Sequence, residues 1–150
     1  MTITVAQALE QAVEHHRAGR FEEAELVYRQ ILETVPNHHD ALHLLGMIAY
    51  QSGKHAEAAD LFGRAVESAP RVALFQHHLG VALGALGRNV EAAVALRAAI
   101  EIEPSMRGPR TELGLCLLRE GKYGEATTHL NEALELDPGD AIAARNIAVC

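Results

Sequence analysis

Tryptophan is absent and aromatic rings are few, three Phe and three Tyr in 150 residues. A core built on large rings is therefore excluded, and the interior must come from Ala and Leu. That composition, with few β-branched residues, favours helix over sheet. Cysteine is nearly absent too. Cys116 and Cys150 have no CxxC neighbour, which argues against a disulfide framework, and both read as small apolar residues at helix contacts. Positive charge is in deficit, with 13 Lys and Arg against 20 Asp and Glu and a net charge of −7. A nucleic-acid backbone needs clustered cations, so nucleic acid is excluded as a partner. No stretch reaches the roughly 18 apolar residues of a membrane span, so no membrane partner is expected. The start, Met1-Thr-Ile-Thr-Val, shows no basic region followed by an apolar run. A reducing cytoplasm is the expected compartment.

What the chain has is a ruler. Pro36, Pro70, Pro104 and Pro138 are spaced 34 residues apart, as are Gly19, Gly53, Gly87 and Gly121, and Ala24, Ala58, Ala92 and Ala126. A fixed period of this length marks a stack of like units. Residues 5–38, 39–72, 73–106 and 107–140 form four units, and residues 141–150 begin the first helix of a fifth or a C-terminal cap. Each unit reads as helix, tight turn, helix. Thr4 and Gln7 can close a capping box at the first helix. The Gly of each unit stands where a helix end calls for a left-handed residue, and the Pro ends the second helix. Glu23, Glu57, Glu91 and Glu125 fall in the first turn of each second helix, which its dipole favours.

Numbering places 1 to 34 within each unit exposes the packing. Places 4, 7, 8 and 11 lie on one side of the first helix and read Leu42-Leu45-Gly46-Ala49, Gln76-Leu79-Gly80-Leu83 and Arg110-Leu113-Gly114-Leu117. Gly at place 8 and Ala at place 20 allow close helix approach. Places 24 and 27 supply the large and small partners Tyr28/Ile31, Phe62/Ala65, Leu96/Ala99 and Leu130/Ala133.

Gly or Ala at place 8, Gly at 15, Ala at 20, an apolar or aromatic residue at 24, Ala at 27 and Pro at 32 resemble the tetratricopeptide repeat over residues 5–140. The resemblance implies an all-α, right-handed α-solenoid of antiparallel helix pairs. It also implies a face that binds a protein or peptide, and with no catalytic constellation in the sequence the chain reads as a non-catalytic scaffold with no cofactor and no metal. The first unit departs from the pattern with Gln11 and His15 at places 7 and 11, as a terminal unit with one side to water can.

Places 2, 5, 6, 9, 12 and 13 oppose the packing stripe and should line a concave wall, where repeat families bind partners. The candidate partner-binding residues are Asp40, His43, Met47 and Tyr50, then Leu74, His77, His78 and Val81, then Thr111, Leu115, Leu118 and Arg119, and finally Arg145 and Asn146. Their apolar members suit an extended or helical apolar peptide. The Lys-Asn-Arg clamp by which some tetratricopeptide modules grip a terminal carboxylate is not present, since Leu9 and Val13, or His43 and Met47, stand where it would begin. Some arrays attached to protein O-glycosyltransferases line the wall with Asn at place 6. Only Asn146 matches, although Ala41-Leu-His-Leu-Leu-Gly-Met-Ile-Ala looks like such bacterial arrays.

Nine histidines are the compositional oddity. The i, i+4 spacing of His39 and His43 could in geometry hold Zn²⁺ or Ni²⁺, but no further ligand is positioned. His43, His77 and His78 would charge near a pKa of about 6.5 and make a groove sensitive to pH. No nucleophile–base pair and no Gly-rich phosphate loop appears, so an enzyme is not expected. Two alternatives stay open: a substrate-selecting arm of a larger protein glycosyltransferase, and self-assembly into a homodimer through the C-terminal helix.

Overall fold

The computed structural model describes residues 2–150. Among them lie nine helices and no strand: α1 (Val5–Arg17), α2 (Phe21–Thr34), α3 (His39–Gln51), α4 (His55–Ser68), α5 (Ala73–Ala85), α6 (Asn89–Ile102), α7 (Gly108–Arg119), α8 (Tyr123–Leu136) and α9 (Ala141–Ile147). The fold is an all-α helical repeat of the solenoid class. No helix among the described residues is long and apolar enough to cross a membrane.

The helix ends follow from local chemistry. Thr4 Oγ1 accepts from the Gln7 amide at 3.2 Å, and Gln7 Oε1 accepts from the Thr4 amide at 2.9 Å, closing the capping box. Each odd-numbered helix from α1 to α7 ends at a glycine with positive φ: Gly19 at 75°, Gly53 at 78°, Gly87 at 75° and Gly121 at 74°. The basic residue that follows donates its amide back five residues, from Arg20 to the His15 carbonyl and from Lys122 to the Leu117 carbonyl, for example. That bond satisfies a helix-end acceptor and reverses the chain. The second helices begin two residues before the repeated Glu, so Glu23, Glu57, Glu91 and Glu125 fall in their first turns.

The chain divides into two compact units, one ending at Pro70 and the other running Arg71–Cys150. In the first, α1 pairs with α2, α2 with α3 and α3 with α4. A Cβ added at Gly46 would lie 2.7 Å from Phe62 Cε1, so place 8 is filled by the ring from place 24. Ala12 takes place 8 in α1, and both it and Tyr28 are fully buried. In the second unit, α5 pairs with α6, α6 with α7, α7 with α8 and α8 with α9, while α5, α7 and α9 lie side by side. A Cβ at Gly80 would lie 2.5 Å from Leu96 Cγ, and one at Gly114 2.6 Å from Leu130 Cγ. Within each unit the core is thus built of small-against-large contacts.

The buried stripe is wider than places 4, 7, 8 and 11. Place 3 is buried as Ala41, Phe75, Pro109 and Ala143, and place 10 as Ile48, Ala82 and Cys116. Leu79, by contrast, is only half-buried, whereas Leu45 and Leu113 are buried. Ionic contacts repeat with the same period. Arg29 pairs with Glu57 at 2.8 Å in the first unit, and Arg97 with Glu125 at 3.3 Å in the second. Both join place 25 of one repeat to place 19 of the next, so these carboxylates serve inter-repeat pairing as well as the helix dipole. At the C-terminal helix, Ala143 is fully buried against Leu130 and Ala133, with Ile147 packed alongside. Ala148, just after α9, is exposed. Cys116 is buried as expected, but Cys150 is exposed and donates its thiol to the Asn146 carbonyl at 3.2 Å.

Candidate functional site

In the first compact unit, the first-helix face is carried by α1 and α3. Asp40 is exposed, 3.7 Å from His39 Nε2, and Met47 is half-buried. Tyr50 is half-buried with its ring centroid 4.8 Å from that of His55. His43 departs from the expected open wall. It is only 7% exposed and lies 5.6 Å from the Phe62 ring. Its side chain is thus committed to the interior. A shallow cleft of about 310 Å³ runs along α1 at Leu9, Glu10, Val13, Glu14 and Arg17. Four of these occupy places 5, 6, 9 and 13, Leu9 and Val13 among them.

In the second unit, α5, α7 and α9 present one face. Place 5 is again spent on packing, for a visible reason: its side chain reaches the start of the next first helix. His77 fills the space over Gly108, where an added Cβ would lie 2.5 Å from its Cε1. Thr111, 5% exposed, donates from Oγ1 to Asp140 Oδ2 at 2.5 Å, while Asp140 Oδ1 accepts the amides of Ile142 and Ala143 and caps α9. Thr111 therefore leaves the open face, as His43 does in the other unit. Leu118 is partly withdrawn as well, packed against the Leu130–Ala133–Ala143 cluster. Leu74 (41% exposed), Val81, Leu115 and Asn146 remain accessible to differing degrees, and Arg119 and Arg145 are exposed.

The electrostatics of this face differ from those expected of free side chains. Burial, reinforced by the neighbouring His78, pushes the His77 pKa down to about 4, and its Nδ1 is buried without a hydrogen-bond partner. His78 is also held below the ordinary histidine value by burial. Charging of these two near 6.5 is therefore corrected: desolvation disfavours the imidazolium. Glu112 is raised by burial, against the opposing field of Arg119 and with a further push from Asp140. At Asp140 burial works upward, but the bonds from Thr111 and the two amides outweigh it and hold the carboxyl low. Burial raises the Cys116 thiol. Among the described residues no group of three or more His, Cys, Asp or Glu could hold a metal ion. What the face offers is apolar surface and a few charges.

Comparison with known proteins agrees with this geometry. Two tetratricopeptide repeat family models match the chain, one over residues 9–73 and 44–109 and the other over 83–149. No curated protein sequence matches. Among solved structures, the chain is 25% identical to YrrB, described as a tetratricopeptide protein with an unusual peptide-binding site, with a TM-score of 0.89 over 97% of this chain and 75% of that one. A MamA structure is 21% identical, with a TM-score of 0.90 over 97% and 79%. The first tetratricopeptide domain of Spaghetti (RPAP3), bound to the HSP90 peptide SRMEEVD, is 20% identical with a TM-score of 0.72 over 74% and 88%. Matched by family models across residues 9–149, the chain belongs to the tetratricopeptide repeat family.

Proposed function

We propose that the chain is a non-catalytic scaffold that binds a peptide or protein segment along its first-helix face, the concave wall expected from the sequence. The observation that carries this reading lies on α5 and α7. Leu74, Val81 and Leu115 stay accessible there, although the packed layers beneath them already hold the repeats together. Exposed apolar side chains gathered on one face are a cost in water unless a partner covers them. A preformed helical face leaves the ordering cost to the peptide alone. The description of YrrB as peptide-binding and the HSP90 peptide on the Spaghetti domain support a peptide as the partner. Met47 and Tyr50 on α3 are proposed to extend the same role in the first compact unit.

A display library of random peptides tests this, panned against the chain and against a Val81→Glu, Leu115→Glu variant whose helicity is checked by circular dichroism. Peptides enriched on the parent and lost on the folded variant support the face; equal enrichment on both removes it. One observation favours a second reading. Val90 and Val94, four residues apart on α6, are 68% and 67% exposed. A partner held there would survive the first variant and be lost on Val90→Glu, Val94→Glu. The matches above lend no support to a glycosyltransferase arm. Pairing of two copies through the C-terminal segment, where Ile142 on α9 and Val149 just after it are exposed, would appear as concentration-dependent mass in sedimentation.

A further inference from the structure

A first helix flanked on both sides shows what its own second helix must supply. α3 lies between α2 and α4 in one compact unit, and α7 between α6 and α8 in the other. Place 8 of the first helix takes the side chain from place 24 of the second, as Gly46 takes Phe62 and Gly114 takes Leu130. A Cβ on Gly114 would also lie 3.5 Å from the Ala126 carbonyl oxygen, so the alanine at place 20 lets the backbones approach. In all four repeats places 20, 24 and 27 are at most 3% exposed, from Ala24-Tyr28-Ile31 to Ala126-Leu130-Ala133.

α9 makes the contact with the second helix before it. Ala143 at place 3 is fully buried against Leu130 and Ala133 of α8. The side that would meet a following helix is open: Ala144 at place 4 and Ala148 at place 8, just after α9, are exposed. Ile147 at place 7 is only partly buried, where Leu45 and Leu113 are buried. The backbone there already has the shape to receive a helix. Ala148 keeps helical angles (φ −64°, ψ −16°), and the Val149 and Cys150 amides bond back three residues to the Asn146 and Ile147 carbonyls. Alanine at place 8 is compatible with a ring at place 24, since Ala12 and Tyr28 hold those places fully buried in the first repeat.

We infer that this side of α9 takes an amphipathic helix from a partner protein, which completes a fifth helix pair. The partner helix carries a small residue, a large apolar residue four positions later and a small residue three positions after that. Continuity with the contact made in all four repeats sets this chemistry. Small side chains on both helices bring the axes close, and the large one fills the remaining gap. Burial of apolar surface, and not charge, supplies the attraction. The residues concerned lie on the packing side of α9, opposite the places that carry the proposed peptide face, so the inference stands apart from that reading.

The test uses a fluorescently labelled peptide of residues 54–69, the chain's own α4 with its flanks, acetylated, amidated and carrying Gly63→Ala to favour helix. Fluorescence anisotropy against the whole chain should show saturable binding. Phe62→Ala in the peptide should weaken it by roughly ten- to a hundredfold. Ala144→Glu, Ala148→Glu in the chain, with helicity checked by circular dichroism, should abolish it. Amide shifts of the labelled chain should move most at Ala144, Ile147 and Ala148. The inference is overturned if the peptide does not bind at millimolar concentration, if binding persists on the folded Ala144→Glu, Ala148→Glu variant, or if the shifts centre on another helix. It is overturned equally if the chain alone sediments at doubled mass, loses that mass on the same two substitutions and takes no peptide, since the occupant is then a second copy.

Discussion

Replacing Gly80 by alanine perturbs the contact on which the repeat is built. The added Cβ would lie 2.5 Å from Leu96 Cγ, 2.7 Å from Leu96 Cδ2 and 3.2 Å from the Ala92 carbonyl oxygen. Carbon atoms rest at about 3.5–4.0 Å, so Leu96 or the α5–α6 distance must yield. Leu96 is fully buried and cannot swing into solvent. Overpacking of this kind costs roughly 1–3 kcal/mol, offset by about 1 kcal/mol from the helix preference of Ala over Gly. Gly80→Ala should therefore be neutral to about 2 kcal/mol destabilised in urea unfolding. The background decides the mechanism. With Leu96→Ala already in place, itself costing about 2–5 kcal/mol, the same Gly80→Ala should be more favourable by about 1–3 kcal/mol than in the parent, because the Leu96 clash is gone and only the 3.2 Å approach to the Ala92 carbonyl oxygen remains. Gly63 on α4 is the control: a Cβ there meets nothing within 4 Å, so Gly63→Ala should stabilise by about 0.5–1 kcal/mol. The reasoning fails if Gly80→Ala has the same sign and size in both backgrounds, since the cycle would then show no coupling between the two residues.

Three further outcomes follow from single groups. The Tyr28 hydroxyl is buried without a partner and its pKa is raised to about 12, so Tyr28→Phe should raise thermal stability, by about 1 kcal/mol; a loss would reveal a hidden partner. His77, lowered to about 4 when folded against 6.5 unfolded, favours the native state fully above the unfolded value. That contribution, at most about 3 kcal/mol, is lost as pH falls from 6.5 towards 4. Asp140, held low, loses its contribution as pH falls through the acid range, while Glu112, raised, works the opposite way. Stability measured against pH should fall less steeply in His77→Gln, and an unchanged slope would remove His77 as a cause. Asp140→Ala should cost about 1 kcal/mol through the lost cap. Hydrogen exchange should accelerate at the Ile142 and Ala143 amides, with α6 unaffected.

Much of this fold was legible because its determinants repeat. Three residue types in phase gave the helix pairs, the turns and the place-8 contact with place 24. Places 3 and 10 were equally apolar in every repeat from the second onward, and a count of all invariant apolar places would have found them. The face was harder to read. Angular position put His43, His77 and Thr111 opposite the stripe, but a long or branched group at place 5 reaches its neighbours, and a helical wheel holds no neighbours. Leu118 was withdrawn by α9 for the same reason. The outer pair Val90 and Val94 went unremarked because neither belongs to the repeat's fixed places.

The most direct test of the binding face is an amide chemical-shift map of the isotopically labelled chain titrated with a library-selected peptide. The account predicts perturbations gathered on α5 and α7 around Leu74, His78, Val81, Leu115 and Arg119, with α6 and α8 quiet. Shifts centred on Val90 and Val94 of α6 would contradict it.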